Sequence, residues 1–268
     1  MKQSDESGKA FSRLCDIMKQ LRGPDGCPWD AEQTPETLKD YIVEETYELL
    51  EAIDEGDSDQ IRDELGDLLL QVVFQSAIFS ERGCFDPADV ANAISDKLVR
   101  RHPHVFADAA FSDEADLHRQ WDAIKRSERK KRNHSASALA GIPKSLPALQ
   151  HTQKLMVRAS RCGLPLENQY QSRREIAEQL TEIDQADTEP DRDSLQLQIG
   201  NLLLAIVSLA HASGISAEDS LRQANRRFTE TFEEIERRAS EQNRDINDLL
   251  VEGQEVFWNR AKKDDFSK

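Results

Sequence analysis

The fold of the first half of this chain is decided by a stretch that runs from Glu44 to Asp67, EETYELLEAIDEGDSDQIRDELGD. The helical pattern before Gly56 predicts a helix that ends there, with the glycine as the turn. Asp57 and Ser58 can cap the helix that follows. The stretch therefore predicts an antiparallel helical hairpin, and it is unusually acidic for helices that continue into aliphatic sequence on both sides.

Four carboxylates in this hairpin lie at matched distances from Gly56. Glu48 and Glu64 lie 8 residues before and after the glycine, and Glu45 and Asp67 lie 11 residues before and after it. In antiparallel helices that rise 1.5 Å per residue, equal distances mean equal heights, about 12–17 Å from the turn. The i, i+3 spacing within each helix places each pair on one face. We therefore expect all four side chains to converge.

Converging carboxylates need a cation to neutralise them. Ligands that are all oxygens favour Mg²⁺, with Mn²⁺ as an alternative. A di-iron bundle would call for a histidine three residues after a ligating glutamate, and none follows Glu45, Glu48 or Glu64 in that way. A solvated acidic face is the other interpretation, which apolar neighbours such as Leu65 and Leu69 disfavour.

A magnesium cluster in a carboxylate cage is suited to a polyphosphate, whose remaining charge requires lysine or arginine. Lys97, Arg100 and Arg101 provide such charges on a later helix, although bases are also common at an ordinary helix C-terminus. Trp29 and Trp121 could each stack on a base or pack in the core.

The second half of the chain repeats the first with a shift of 134 residues. The segment ELGDLLL at 64–70 reappears as QIGNLLL at 198–204. Three of the four acidic positions are neutral in the second copy, where they are Gln179, Gln198 and Asn201, and only Glu182 keeps its charge. An amide adds no charge to hold a dication. We therefore predict that the second half is catalytically inactive and serves dimerisation, packing or regulation.

The helical periodicity predicts an all-α protein with essentially no strand. Helices are expected over about 10–22, 34–55, 58–82, 86–101 and 113–130, with a Pro- and Gly-rich loop before the second. The repeat predicts a domain over residues 1–127, a linker over 128–147 and a second domain over 148–268.

Composition limits the class of protein. The formal net charge of −16 argues against a nucleic-acid partner or an anionic membrane, because the mean field repels polyanions. No apolar run approaches the ~20 residues that cross a bilayer, so we expect no membrane partner. The four cysteines have neither a zinc spacing nor the density of a disulfide scaffold, and we expect a cytoplasmic protein.

Several motifs taken together resemble the MazG family of nucleoside triphosphate pyrophosphohydrolases. They are Glu45-x-x-Glu48, Glu64-x-x-Asp67, Asp96-Lys97-x-x-Arg100-Arg101-His102-Pro103-His104-Val105-Phe106 and Gly26-Cys27-Pro28-Trp29-Asp30. The resemblance covers nearly the whole chain. It implies two tandem copies of a MazG-type helical bundle unit, usually assembled as a homodimer.

The resemblance also implies an activity, the Mg²⁺-dependent hydrolysis of a nucleoside triphosphate to the monophosphate and pyrophosphate. The metal ligands would be Glu45, Glu48, Glu64 and Asp67. The substrate would contact Lys97, Arg100 or Arg101, and Trp121, while Glu44 would contact a second ion or a water. The intact motif assigns the reaction to the first half. A non-catalytic helical protein that senses nucleotides is the alternative.

Overall fold

The computed structural model describes residues 2–107, 112–113, 120–121, 123–124, 127–128, 137–185 and 192–246. Within these residues the chain forms helices and turns and no strand, which confirms the predicted all-α class. The chain divides into two compact units, residues 1–131 and 132–268. This division falls inside the predicted linker, whose two ends remain a prediction. Residues 1, 108–111, 114–119, 122, 125–126, 129–136, 186–191 and 247–268 lie outside the described part.

The first unit contains helices α1 to α6, which are Lys2–Leu21, Pro28–Glu32, Lys39–Glu55, Ser58–Glu81, Pro87–Arg101 and Pro103–Phe106. The second unit contains α7 to α10, which are Ala148–Ser160, Gln169–Gln185, Arg192–Ala212 and Ala217–Gln242. Each unit is built around one long helical hairpin, α3–α4 in the first and α8–α9 in the second.

The α3–α4 hairpin turns where the sequence predicts. Gly56 caps α3 in the left-handed conformation with φ 79°, and its N–H donates to the Ala52 carbonyl. A side chain with a Cβ would be strained at this φ, so the glycine fixes the turn. Asp57 accepts a hydrogen bond from the Asp59 N–H at 2.9 Å and caps α4. The two helices then pack against each other along their length.

Other boundaries differ from the prediction. The structure starts α3 at Lys39 rather than at Thr34, because Thr34 and Thr37 exchange side-chain to main-chain hydrogen bonds that close a separate turn. The predicted loop before it contains the short helix α2, with proline at its first position. Helix α1 begins well before residue 10. For the helix expected over 113–130, residue 113 lies in a bend, the described residues from 120 to 128 are helical, and the others lie outside the description.

The core of the first unit forms between α1, α4 and the residue that precedes α3. It consists of Met18, Leu38, Val73, Phe74 and Ile78. Every buried residue of α4 lies at or after Gln71, so the core holds only the second half of this helix. The first half of α4, which carries the acidic residues, extends beyond the core.

An exposed apolar stripe runs along the acidic half of α4. Leu65, Leu69 and Val72 follow one another at i, i+4 and i+7 and are 51%, 41% and 44% exposed. The expectation that the leucines beside the carboxylates are core residues is therefore wrong for Leu65 and Leu69. The aliphatic pattern instead predicts a surface that could be covered by other helices.

The second unit exposes the same stripe at the repeat positions. Ile199, Leu203 and Ile206 on α9 are each shifted by 134 residues from the stripe of α4, and they too are exposed. Only Ala205 and Val207 of α9 are buried.

Helix α9 is also long and apolar enough, by length and composition alone, to cross a membrane. This result contradicts our expectation that no segment reaches that threshold. A single helix of this kind is weak evidence for a membrane span, since core helices of other proteins satisfy the same criteria.

Candidate active site

Three of the four predicted metal ligands come together on the α3–α4 hairpin. Glu45, Glu48 and Glu64 each offer one carboxylate oxygen, and these oxygens lie within 4.8 Å of one another. Among the residues that the structure describes, no other group of three acidic, histidine or cysteine side chains is close enough to share a cation. Asp67 is exposed and lies outside this group.

The electrostatics of the hairpin couple the acids in pairs. Burial raises the pKa of Glu45, and the charge of Asp67 is the largest of the neighbouring charges that raise it further. Burial also raises the pKa of Glu64, with Glu48 as its largest neighbouring charge. The same two pairs, Glu45 with Asp67 and Glu48 with Glu64, are expected from their equal distances to the turn at Gly56. Asp67 therefore acts electrostatically on the cluster although it is not one of the three converging side chains.

One oxygen of the cluster has no hydrogen-bond partner. Glu64 Oε2 is buried and accepts no hydrogen bond from any described residue. A buried carboxylate oxygen is costly unless a donor or a cation reaches it. The side chains that meet here offer only oxygens, which suits Mg²⁺ or Mn²⁺ rather than a di-iron centre with histidine ligands. The residues present thus fit a hard divalent cation.

Glu44 lies on the exposed side of α3, next to this cluster in sequence. Its negative charge contributes to the raised pKa of Glu45. The neighbouring charges that act on Glu45 in this way are all carboxylates, so the cluster concentrates negative charge.

The predicted phosphate ligands lie on α5, and two of them share one carboxylate. Glu128 Oε1 accepts from Arg100 Nε at 2.7 Å, and Glu128 Oε2 accepts from Arg101 Nη2 and Nε at 2.6 and 3.1 Å. The two guanidinium groups lower the pKa of Glu128 to about 2. Lys97 is partly buried on the same helix. Within the described residues no ion pair joins these cations to the glutamate cluster.

Trp121 lines a small cleft at the C-terminal end of α5. The cleft has a volume of about 90 Å³, and its walls are formed by Arg101, His102, Pro103, His104, Gln120, Trp121 and Ile124. The indole ring of Trp121 lies 5.8 Å from the imidazole of His102. Pockets for drug-sized ligands usually have about 300–1,000 Å³. In this conformation the cleft can therefore hold a part of a nucleotide but not the whole.

Trp29, the other tryptophan considered as a base-stacking residue, borders the core. Its ring meets Tyr41 edge-on at 6.0 Å and Phe74 at 6.5 Å, yet half of the side chain is exposed. Its contact with buried Phe74 supports the packing interpretation, while the exposed half remains accessible to a ligand.

Glu128 is not among the predicted site residues, because the predicted linker over 128–147 begins at this residue. A signal was present in the spacing, because Glu128 follows Trp121 by seven residues, or two helical turns. The many lysine and arginine residues next to Glu128 favoured the interpretation of this segment as a linker.

Amides occupy three of the four equivalent positions in the second unit, and the side-chain oxygens of Gln179 and Gln198 are buried without a partner among the described residues. Gln179 is 8% exposed and its Nε2 donates to Glu175 at 3.1 Å, while Gln198 Nε2 donates to the Glu182 carbonyl at 3.4 Å. Glu182 and Asn201 are exposed. Pro190, which corresponds to Gly56 under the shift of 134 residues, lies outside the described residues.

Comparisons with known proteins agree with this geometry. A family model described as the MazG nucleotide pyrophosphohydrolase domain matches residues 33–106, which contain the four carboxylates and the three bases of α5. A nucleoside triphosphate pyrophosphohydrolase/pyrophosphatase MazG of Thermotoga maritima is 38% identical over 260 residues, or 97% of this chain and 98% of that protein.

Two further relatives carry the name nucleoside triphosphate pyrophosphohydrolase. The protein of Escherichia coli K12 is 42% identical over 262 residues, which cover 94% of this chain and 97% of that protein. The protein of Mycobacterium tuberculosis is 43% identical over 140 residues, which cover 52% of this chain and 42% of that protein.

Proposed function

The chain belongs to the MazG nucleotide pyrophosphohydrolase family, and from this premise we propose that its first unit hydrolyses nucleoside triphosphates to nucleoside monophosphate and pyrophosphate with Mg²⁺. As a member of that family the chain is a hydrolase. The assignment of the reaction to the first unit depends above all on one observation, the convergence of three carboxylates, those of Glu45, Glu48 and Glu64.

In this proposal Glu45, Glu48 and Glu64 would hold the cation, with Asp67 adding negative charge or a further ligand. When bound, a divalent cation supplies Lewis acidity toward phosphate oxygens and lowers the pKa of water. The carboxylates would hold such a cation at one place, because the hairpin fixes their heights. Mn²⁺ is a second candidate for the same oxygens.

The chain's own cations would bind the substrate's phosphates. The protein has a net charge of −16, so a polyanionic substrate is repelled at long range and needs local positive charge. Lys97, Arg100 and Arg101 provide that charge on one helix. Trp121 offers a flat apolar wall beside Arg101 for the nucleoside.

The second unit would serve packing, dimerisation or regulation, since amides replace three of its four acids. We include a homodimer in the proposal because each unit exposes an apolar stripe that water does not favour. A cytoplasmic location is consistent with the four free cysteines, Cys15, Cys27, Cys84 and Cys162.

The decisive experiment measures pyrophosphate and orthophosphate released from a panel of nucleoside triphosphates, with Mg²⁺ and with a chelator. We expect pyrophosphate release that stops on chelation. Asp67→Asn, which copies Asn201, should remove most activity, whereas Glu182→Gln should not. Orthophosphate alone, or indifference to chelation, would contradict the proposal. Nucleotide binding without turnover under either Mg²⁺ or Mn²⁺ would favour the sensing alternative.

A further inference from the structure

Glu128 connects two parts of the chain that are distant in sequence. One carboxylate accepts from Arg100 and from Arg101, which precede it by 28 and 27 residues. The Glu128 and Arg101 side chains are only 19% and 20% exposed, so water competes weakly for the two hydrogen bonds between them. All three hydrogen bonds are charge-assisted, the class that is roughly twice as strong as a neutral hydrogen bond.

The same helical face that carries Glu128 also forms a wall of the cleft. Trp121, Ile124 and Glu128 are spaced at i, i+3 and i+7, which places them on one side of a helix. Trp121 and Ile124 line the cleft, and Glu128 bonds to the arginines at its edge. The apolar contacts and the ion pairs therefore attach one face to the end of α5.

The two arginines use Glu128 differently. Arg101 donates through both Nε and Nη2, whereas Arg100 donates through Nε alone and is 51% exposed. Two guanidinium charges against one carboxylate leave the group of three side chains with one net positive charge. A carboxylate in this place can thus orient the arginines without cancelling their attraction for phosphate.

We propose that Glu128 is a positioning residue for the substrate site, where it holds the phosphate-binding arginines and the Trp121 wall in one arrangement. This inference rests on the proposed function, because it assumes that the cleft and α5 receive a nucleoside triphosphate. Its effect is on substrate affinity, since Glu128 itself contacts no reacting atom. The opposite role would be that of a competitor that must leave before phosphate binds.

The test compares steady-state hydrolysis of a nucleoside triphosphate by wild type, Glu128→Gln and Glu128→Asp under saturating Mg²⁺. Gln keeps the size and removes the charge, so we expect KM to rise about tenfold while kcat changes less than about twofold. Asp keeps the charge on a shorter side chain, and its KM should lie between the other two.

Inhibition by inorganic tripolyphosphate separates the two functions of Glu128. This ligand has the phosphates but no nucleoside, so it depends on the arginines and not on Trp121. We expect Glu128→Gln to lower the affinity for tripolyphosphate less than it lowers the affinity for the nucleoside triphosphate. Equal losses for both ligands would overturn the part of the inference that concerns the Trp121 wall.

Glu234→Gln is the matched control, because Glu234 in the second unit likewise accepts from two arginines, Arg237 and Arg238. We expect it to leave KM unchanged, and thermal melting checks that all variants fold. An unchanged KM in Glu128→Gln, or a lowered one as a competitor requires, would overturn the inference. If wild type releases no pyrophosphate, the proposed function itself fails. That result can be told apart from a failure of the inference about Glu128, in which wild type is active and only the effect of the substitution is absent.

Discussion

The two hairpins of this chain have one apolar pattern and two different polar sets. Leu65, Leu69 and Val72 of α4 correspond to Ile199, Leu203 and Ile206 of α9, and all six are exposed. At the polar positions the first hairpin has four acids and the second has one acid with three amides. The shared apolar pattern shows that a hairpin of this kind can form without the acids, because the second hairpin folds without three of them.

The comparison also shows what the acids cost. In the first hairpin burial and neighbouring charges raise the pKa of Glu45 and of Glu64, so the ionised cluster works against the folded state. In the second, the amide groups of Gln179 and Gln198 are neutral and donate hydrogen bonds within their own unit, although their side-chain oxygens are buried without a partner among the described residues. A costly charged cluster that the fold can dispense with points to a ligand that makes use of it.

The largest expected effect is on activity. Glu64→Gln gives the first hairpin the residue found at Gln198, removes the unpartnered carboxylate and should lower kcat for pyrophosphate release at least about hundredfold, since even outer-shell partners of a metal cost 10–100-fold. Glu182→Gln in the second hairpin should leave kcat unchanged. Loss of activity in Glu182→Gln but not in Glu64→Gln would show that the second unit, and not the first, carries the reaction.

The next effect concerns assembly. Leu69→Glu and Leu203→Glu place one charge in each stripe, and each should raise the dissociation constant of a homodimer at least about tenfold, because burying an unpaired charge is costly. Analytical ultracentrifugation over a range of concentrations measures this. Ile17→Glu on α1, at a position with similar exposure, is the control. An assembly that neither stripe variant changes would show that these stripes are not the interface.

A smaller effect is expected on stability without metal. Glu45→Gln copies Gln179 and removes repulsion from Asp67 and Glu48, so in chelator at neutral pH its melting temperature should rise by a few degrees. With saturating Mg²⁺ the order should reverse, because the wild type gains the free energy of cation binding. Glu182→Gln should shift the melting temperature less. A lower melting temperature of Glu45→Gln than of wild type in chelator would mean that Glu45 stabilises the hairpin.

The smallest effect is a pH dependence. The pKa of Glu128 is about 2 in the folded chain against an ordinary 4.5, so its stabilisation is complete above pH 4.5 and is lost as the pH falls toward 2. At pH 7 the free energy of unfolding of Glu128→Gln should therefore be lower than that of wild type, by at most about 2 kcal/mol. In acid the two values should converge. Urea unfolding at several pH values measures this difference.

Glu234→Gln provides the comparison in the second unit. Its arginine partners also lower the pKa of Glu234, but that group of side chains is exposed to solvent, so the variant should change less between pH 7 and acid. A pH-independent difference for Glu128→Gln would contradict the assigned ion pairs.

Several features could be predicted from the sequence because they depend on local chemistry. Gly56 marks a turn that needs a positive φ, and Asp86-Pro87 marks a capping box at the start of α5. Once the turn is fixed, helical rise alone brings Glu48 and Glu64 together. The sequence at Thr34 predicts the start of a helix where the structure has a separate turn, since a capping hydroxyl followed by proline is compatible with a helix start and with a turn.

Other features depend on contacts between distant segments. The pairing of Glu128 with Arg100 spans 28 residues, and no local pattern specifies it. The exposure of Leu65 could not be predicted either, because helical periodicity shows which residues share a face but not what covers that face. Both failures concern what packs against a helix, which is decided by tertiary structure.

The restriction of buried residues in α4 to positions at or after Gln71 has a consequence for how such a chain changes over generations. Substitutions of the acids between Ser58 and Asp67 alter chemistry and leave the buried residues of α4 in place. If the two units arose by duplication, selection on the fold alone would not preserve the acids of the second copy. Glu182 is the one acid that the second unit keeps at the four equivalent positions.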